Sequence, residues 1–453
     1  MADDTVVIDD LERILLTEGQ LEPQRAEELQ ALLGKLSLKN TISLLERLGP
    51  NRAALVLRLL PRARSYDAFD ALDSAHQAEL VDALGDAPIT EFFGSLDPDD
   101  RVALLDELPA EIAQRLMQTL AQGQRDVTGV VLGYPKRSIG RRMSPQVPMV
   151  GLHDTVATAL DRLREQAADA ESIYTVPVVT SDRKLVGVTS LRTLFTADPD
   201  ERVEELMSEP EYAHAADNDE ETARWFLPLD YLALPIVDDS DRLVGMLTVD
   251  DAFDIVEEAD NEDAARGGGA EPLQQPYLTT AVVKLVRSRI VWLGVLAVSA
   301  LLTVQVLDAF EEALQAAVVL SLFIPLLTGT GGNTGNQAAT TVTRALALGD
   351  VRKKDVFKVL WRELRVGALL GLLLGVAFGL LLGAIYGASI GLVLGLTLTA
   401  VCTLAASVGG IMPLLAKAIG ADPAVFSNPF ITTFVDATGL ILYFLIARAV
   451  LGI

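Results

Sequence analysis

The chain has 453 residues, with 62 acids against 37 bases and a formal charge of −25. So acidic a balance points away from nucleic acid, and a single cysteine, Cys402, excludes an intramolecular disulfide and a cysteine-based zinc site. The charge is unevenly spread. Residues 1–275 hold 54 acids and 25 bases, whereas residues 276–453 hold 8 and 12, so an acidic, water-soluble half precedes an apolar one.

The N-terminal MADDTVVIDDLER has neither a basic n-region nor an apolar h-region and does not read as a signal peptide. His76, His153 and His214 show no ligand spacing and read as ordinary surface or capping residues. Over residues 1–130, Leu36, Leu48, Leu60, Leu72, Leu84, Leu96, Leu108 and Leu120 recur every twelve positions. Several are followed by turn residues such as Gly49-Pro50, Pro61 and Asp97-Pro98. The pattern predicts short helices stacked as an all-α superhelical domain.

A longer repeat fills residues 138–262, as copies 138–200 and 201–262. VPVVTSDRKLVGVTSLRTLF matches LPIVDDSDRLVGMLTVDDAFDIV, with Met143 pairing with Met207 and Pro177 with Pro235. The spacings are 34 and 28, so the first copy carries six extra residues before its strand. Each copy reads helix, strand, turn, strand, helix. This resembles a tandem pair of α/β CBS domains, which implies a cleft for adenine nucleotides. Thr248 and Asp251 match the Thr/Ser-x-x-Asp that holds ribose in such pairs; in the first copy Ser190 is followed by Thr193, without the acid.

Eight acids, from Asp250 to Asp263, then crowd fourteen positions, running into a connecting helix assigned to residues 255–280. Like charges at i,i+3 and i,i+4 repel. For any one acid a solvated face is the ordinary reading. The cluster at the junction points instead to a divalent cation, with Glu220, Asp230, Asp67, Asp97, Asp99 and Asp100 able to join across interfaces.

Residues 284–453 contain five apolar segments, roughly 290–306, 314–327, 366–386, 391–415 and 430–451, and read as a five-helix transmembrane domain. Bases lie before the first, between the second and third, and between the fourth and fifth. The positive-inside rule puts the N-terminal half in the cytoplasm and the C-terminus outside. Asp436 lies well within an apolar run and is the kind of costly intramembrane acid that faces a pathway. Thr432 shares its face one turn earlier, and Asp422 precedes the span. The stretch TGTGGNTGNQAATT, residues 328–341, lacks the spacing of a phosphate loop. It reads as a helix break lining a water-filled path, with Asn333, Asn336 and Gln337 offering oxygens to a hard cation.

Together GGNTGNQ (331–337), SVGGIMPLL (407–415), ADPAVFSNPF (421–430) and TTFVDATGLILYF (432–444) resemble the MgtE family of magnesium transporters and channels. The resemblance spans nearly the whole chain. It implies a homodimer with one pore in the bilayer of the bacterial inner membrane, Asp436 as principal ion site and Asp422 at the pore entrance. It implies cytoplasmic Mg²⁺ sensing at Asp67, Asp99 or Asp100, Glu220, Asp230, Asp251, Asp254, Glu262 and Asp263, closing the pore when the acids fill. ATP enters as a modulator. Asn218 and Ala259 stand where that family would have acids. Transport of Co²⁺, Ni²⁺, Mn²⁺ or Ca²⁺, or a membrane-anchored nucleotide sensor, are the alternatives; no nucleophile–base pair suggests an enzyme.

Overall fold

The computed structural model describes residues 29–30, 32–168, 170–273, 280, 282–419 and 428–452. The chain divides after Ala259 into two compact units, taken here separately.

The first unit opens with a run of short helices: α1 (Leu38–Arg47), α2 (Pro50–Leu59), α3 (Arg62–Asp70), α4 (Ser74–Leu84), α5 (Asp86–Ser95), α6 (Pro98–Glu107), α7 (Ala110–Thr119) and α8 (Gln122–Leu132). The twelve-residue period is a helix of about ten residues plus a two-residue turn. Leu48, Leu60, Leu96, Leu108 and Leu120 are the C-cap residues of their helices, in extended backbone that ends each helix. Proline or an N-capping acid then starts the next: Pro50 and Pro98 sit in first turns, and Asp73 accepts from the His76 amide. The ladder leucines enter one core with Phe69, Phe93 and Ile89. Each fully buried leucine contributes about 1.5–3 kcal/mol.

Two three-stranded sheets follow. β1 (Val150–Gly151) pairs parallel with β2 (Thr175–Val179), which pairs antiparallel with β3 (Leu185–Ser190). Between β1 and β2 lies α9 (Val156–Gln166), and α10 (Leu191–Thr196) and α11 (Val203–Leu206) follow β3. The second sheet repeats the order with β4 (Ala213–His214), α12 (Asp219–Phe226), β5 (Ala233–Val237) and β6 (Leu243–Thr248). Register is equivalent, Pro177 opposite Val188 and Pro235 opposite Met246. The copies cross in space. Met143 packs over Gly245 and Met207 over Gly187, while Ser144 bridges to Met246 and Ser208 to Val188. Each Met-Ser segment thus completes the sheet of the other copy, because glycine leaves room for the thioether. From β6 the chain passes directly into α13 (Val249–Gly267), which carries the acidic run as one helix. Arg141, just after α8, donates to both carboxylate oxygens of Asp106 on α6 at 2.8 and 3.1 Å, and Lys136 joins at 3.1 Å. This fork fixes α6 against the sheet domain.

The second unit contains α14 (Val282–Ala309), α15 (Glu311–Ala316), α16 (Ile324–Ala347), α17 (Val356–Tyr386), α18 (Ala388–Ala418) and α19 (Asn428–Leu451). Among the described residues four helices are long and apolar enough to cross a membrane, namely α14, α17 with the turn before it, α18 and α19 from Phe430. The fifth, α16, has 24 residues, about 36 Å at 1.5 Å each, but is too polar for that criterion.

The expected break at residues 328–341 is not there: α16 runs unbroken through all of them. The irregular backbone lies earlier, in a 3-10 turn at Val318–Phe323, held by the Tyr443 hydroxyl donating to the Leu320 carbonyl at 2.9 Å. The glycines serve close approach. A Cβ on Gly331 would stand 2.6 Å from a Val401 methyl, and one on Gly335 2.7 Å from an Ile431 methyl. Glycine therefore lets α16 pack on α18 and α19 at once.

The same device joins α17 and α18, where a Cβ on Gly371 would meet the Thr399 Cα at 2.7 Å. Gly371→Ala is expected to destabilise by about 1–3 kcal/mol through overpacking against backbone. Gly94→Ala, within α5 where the added methyl meets nothing within 4 Å, is expected to be neutral or to stabilise by about 0.4–1 kcal/mol. Thermal melts of the detergent-solubilised protein check the pair.

Candidate metal centres

In the first unit, Asp99 on α6, Asp251 on α13 and Glu171 before β2 bring a carboxylate oxygen each within 4.8 Å of one another. LDPDD builds one side of this site. Asp97 is the N-cap of α6, Pro98 fills its first position, and Asp99 and Asp100 occupy the first turn, where a helix terminus favours negative charge. Asp99 is 6% exposed, and its Oδ1 has no hydrogen-bond partner among the described residues. The adjacent base does not help. Buried Arg101 spends its guanidinium on the Phe93 and Gly94 carbonyls at 3.1 Å and on Thr128. Asp251 accepts from the Thr248 hydroxyl, three residues earlier at the end of β6.

The carboxylates consequently bind protons more tightly than free carboxylates do. Burial first, then Asp251, Asp100 and Glu171, pushes Asp99 well above the usual carboxylate range. Burial and Asp251 push Asp100 and Glu171 up to about 8. Asp251 rises to about 6, mainly through burial, with the Thr248 bond opposing. The set is oxygen-only, with Asp99 buried, Asp251 half-buried and Glu171 exposed at its rim. With one carboxylate oxygen orphaned among the described residues, it fits a hard divalent cation, which would compete with protons.

Of the residues expected in sensing, the structure gathers Asp99, Asp100 and Asp251. Asp254, one turn on, has an exposed side chain whose carboxyl is raised by partial desolvation from its neighbours and then by Glu258. The other positions do not converge there. Asp67 is exposed on α3 beside Asp70. Glu220 is engaged by Arg224 at 2.8 Å. Asp230 is exposed in a left-handed turn, φ 57°. Glu262 pairs with Arg266 on α13, one residue before Asp263. An acid with a local base one helical turn away is partly neutralised without a metal. Glu171 escaped the sequence reading. Its signal was the extra stretch before β2 in the first copy, which carries ADAES. A small cavity beside it is lined by Ser144, Val147, Glu171, Ser172, Met246 and Thr248.

In the second unit, Asp436 lies on α19, half-buried, with an Oδ1 that is shielded and has no hydrogen-bond partner among the described residues. One turn earlier the Thr432 hydroxyl accepts from the Asn336 amide of α16 at 3.1 Å. Gly332 permits this, since a Cβ there would stand 2.9 Å from the Thr432 methyl. Asn333 is exposed on α16 rather than joined to this pair. Asp422 lies outside the described residues.

Comparison with known proteins matches this architecture in order. An MgtE intracellular N domain model fits residues 36–137, a CBS domain model fits 137–200 and 227–258, and a model described as divalent cation transporter fits 324–446. The magnesium transporter MgtE of Thermus thermophilus is 35% identical over 427 residues, covering 93% of this chain and 95% of its own. The chain belongs to the MgtE family. A second MgtE, from Bacillus subtilis, is 31% identical and covers 92% of this chain and 95% of its own. The solved cytosolic domain of the Mg²⁺ channel MgtE in complex with ATP is 33% identical, with a TM-score of 0.47, over 51% of this chain and 94% of that one.

For this MgtE chain the raised carboxylates set the pH dependence. Without cation, the folded state binds more protons at Asp100 and Glu171 than the unfolded chain does, so stability falls as pH rises from about 4 towards about 8. Mg²⁺ is expected to raise the melting temperature of the full-length protein more at pH 8 than at pH 6. Glu171→Gln is expected to raise the melting temperature in chelator and to shrink the Mg²⁺-induced increment. Melts at both pH values, with and without Mg²⁺, check both; an increment as large at pH 6 would contradict the competition.

Proposed function

We propose that the protein is a Mg²⁺ transporter of the bacterial inner membrane, a homodimer whose pore is gated by cytoplasmic Mg²⁺. The observation that carries the reading is Asp436, a carboxylate inside an apolar span with one oxygen unpartnered among the described residues. Such a group is expensive in a bilayer unless it serves a pathway. Two copies about a twofold axis would present two carboxylates to one divalent ion. The Asn336–Thr432 pair supplies neutral oxygens one turn away. Mg²⁺ dehydrates reluctantly, so a few oxygens around a hydrated ion allow both entry and exit. The carboxylate of Asp436, the hydroxyl of Thr432 and the amide of Asn336 are hard donors that favour a hard ion over Co²⁺ or Ni²⁺.

Gating follows from the soluble site. At high cytoplasmic Mg²⁺ a cation held by Asp99, Glu171 and Asp251 bridges α6, the first CBS copy and α13, and the soluble half compacts. At low Mg²⁺ the acids repel and the assembly loosens. The basic segments flanking the spans orient the soluble half to the cytoplasm and the C-terminus outwards. A nucleotide modulator is supported by one specific observation: the Thr248–Asp251 pair lies beside the small cavity of the CBS pair. ATP is its proposed occupant.

Mg²⁺ uptake into proteoliposomes tests the reading. Asp436→Ala is expected to lower flux by at least about tenfold, as loss of the pore's charged ligand should. Asp99→Asn with Glu171→Gln is expected to leave flux at low Mg²⁺ intact and to raise the cytoplasmic-side Mg²⁺ needed to suppress it. Undiminished flux through Asp436→Ala would remove the pore assignment.

A further inference from the structure

α17 is longer than a membrane needs. Its 31 residues extend about 46 Å, against about 30 Å of hydrocarbon. Its apolar run begins at Val366, so Val356–Arg365 is the part that projects beyond the acyl region. One face of this projection is packed in protein. Val359 is buried with Val342, Leu346 and Leu414, and Glu363 lies against Gly410. At about 100° per residue, Phe357, Lys358, Trp361 and Arg365 fall on the opposite face.

That face is open. Phe357 is 82% and Trp361 60% exposed. The Arg365 guanidinium lies 5.8 Å from the Trp361 ring centroid, a cation–π distance. Lys358 is exposed and pairs with Asp355 at 2.8 Å. Lys353, Lys354 and Arg362 are exposed too, and among the described residues they make no salt bridge.

Water penalises the two rings, and hydrocarbon penalises the charges. A phospholipid headgroup layer accepts both, with rings at the glycerol level and long basic side chains reaching phosphate. The sign of the charge selects anionic lipid over zwitterionic lipid. We propose that this face of α17, with the turn before it and Arg362 at its edge, is a docking surface for anionic phospholipid headgroups, held by Lys353, Lys354, Lys358 and Arg362 around Phe357 and Trp361. The proposal rests on the membrane-spanning reading of α17 and not on which ion the protein carries.

The test uses full-length protein carrying Trp225→Phe and Trp292→Phe, which leaves Trp361 alone among the three tryptophans. The protein is reconstituted in phosphatidylcholine vesicles doped with brominated phosphatidylglycerol or brominated phosphatidylcholine. Brominated phosphatidylglycerol is expected to half-quench Trp361 at a mole fraction about threefold lower than the zwitterionic lipid, less so in high salt. K353Q/K354Q/K358Q/R362Q should abolish that preference while quenching by both lipids persists, and the milder K354Q/R362Q should reduce it. Equal quenching in the parent, or a preference kept in the quadruple variant, would overturn the proposal. So would quenching by neither lipid, which would mean that protein covers the face, whether a second copy or the soluble half. Mg²⁺ flux in the same vesicles reports separately on the transport reading.

Discussion

Carboxylates gathered with no base to pair them among the described residues are the constraint behind both candidate sites. At about 4 Å, two like charges repel by several kcal/mol once the effective dielectric falls to about 20. Asp99, Glu171 and Asp251 accept that repulsion although Arg101 is adjacent, because its guanidinium is committed to backbone carbonyls. The clustered acids are left with two ways to lower their energy, a proton or a cation. The same problem recurs on α19, where Asp436 stands in an apolar span with one oxygen unpartnered among the described residues. Each unit therefore holds a candidate oxygen-donor site for the same class of ion.

Holding like charges together requires a stiff scaffold. In the first unit it comes from the stacked helices, whose ladder leucines fill one continuous core, and from the Arg141–Asp106 fork that locks α6 to the sheets. The crossed CBS copies add a second tie, since each Met-Ser segment belongs in space to the other copy. In the second unit the scaffold is helix contact through glycine. Removing Cβ atoms at Gly331, Gly332 and Gly335 brings α16 close enough for Asn336 to reach Thr432. Lipid offers no hydrophobic force between helices, so such contact rests on close packing and interhelical hydrogen bonds.

How far these features could be read without coordinates differs by feature. The leucine period, the tandem repeat and the apolar spans were all legible, because each is a local pattern or a composition that one physical rule interprets. TGTGGNTGNQ misled. Glycine serves both broken backbone and close approach, and only the neighbours distinguish them; here Val401, Ile431 and Thr432 press against the glycines of an intact helix.

The clustered acids show the same limit most clearly. A sequence of this charge determines by itself that acids must crowd somewhere, that the apolar half must sit in a bilayer, and that oxygen ligands, not sulfur, must serve any cation. It does not determine which acids meet. Glu220 and Glu262 looked as eligible as Asp99, yet each has an arginine one turn away on its own helix. Glu171 showed only as an acid in extra residues before a strand. Tertiary packing decided the matter, since it brought three chain segments remote in sequence together and left Arg101 pointing elsewhere. The reason is physical: local patterns fix which face of an element is apolar, but the energy of a charge depends on every group around it in space.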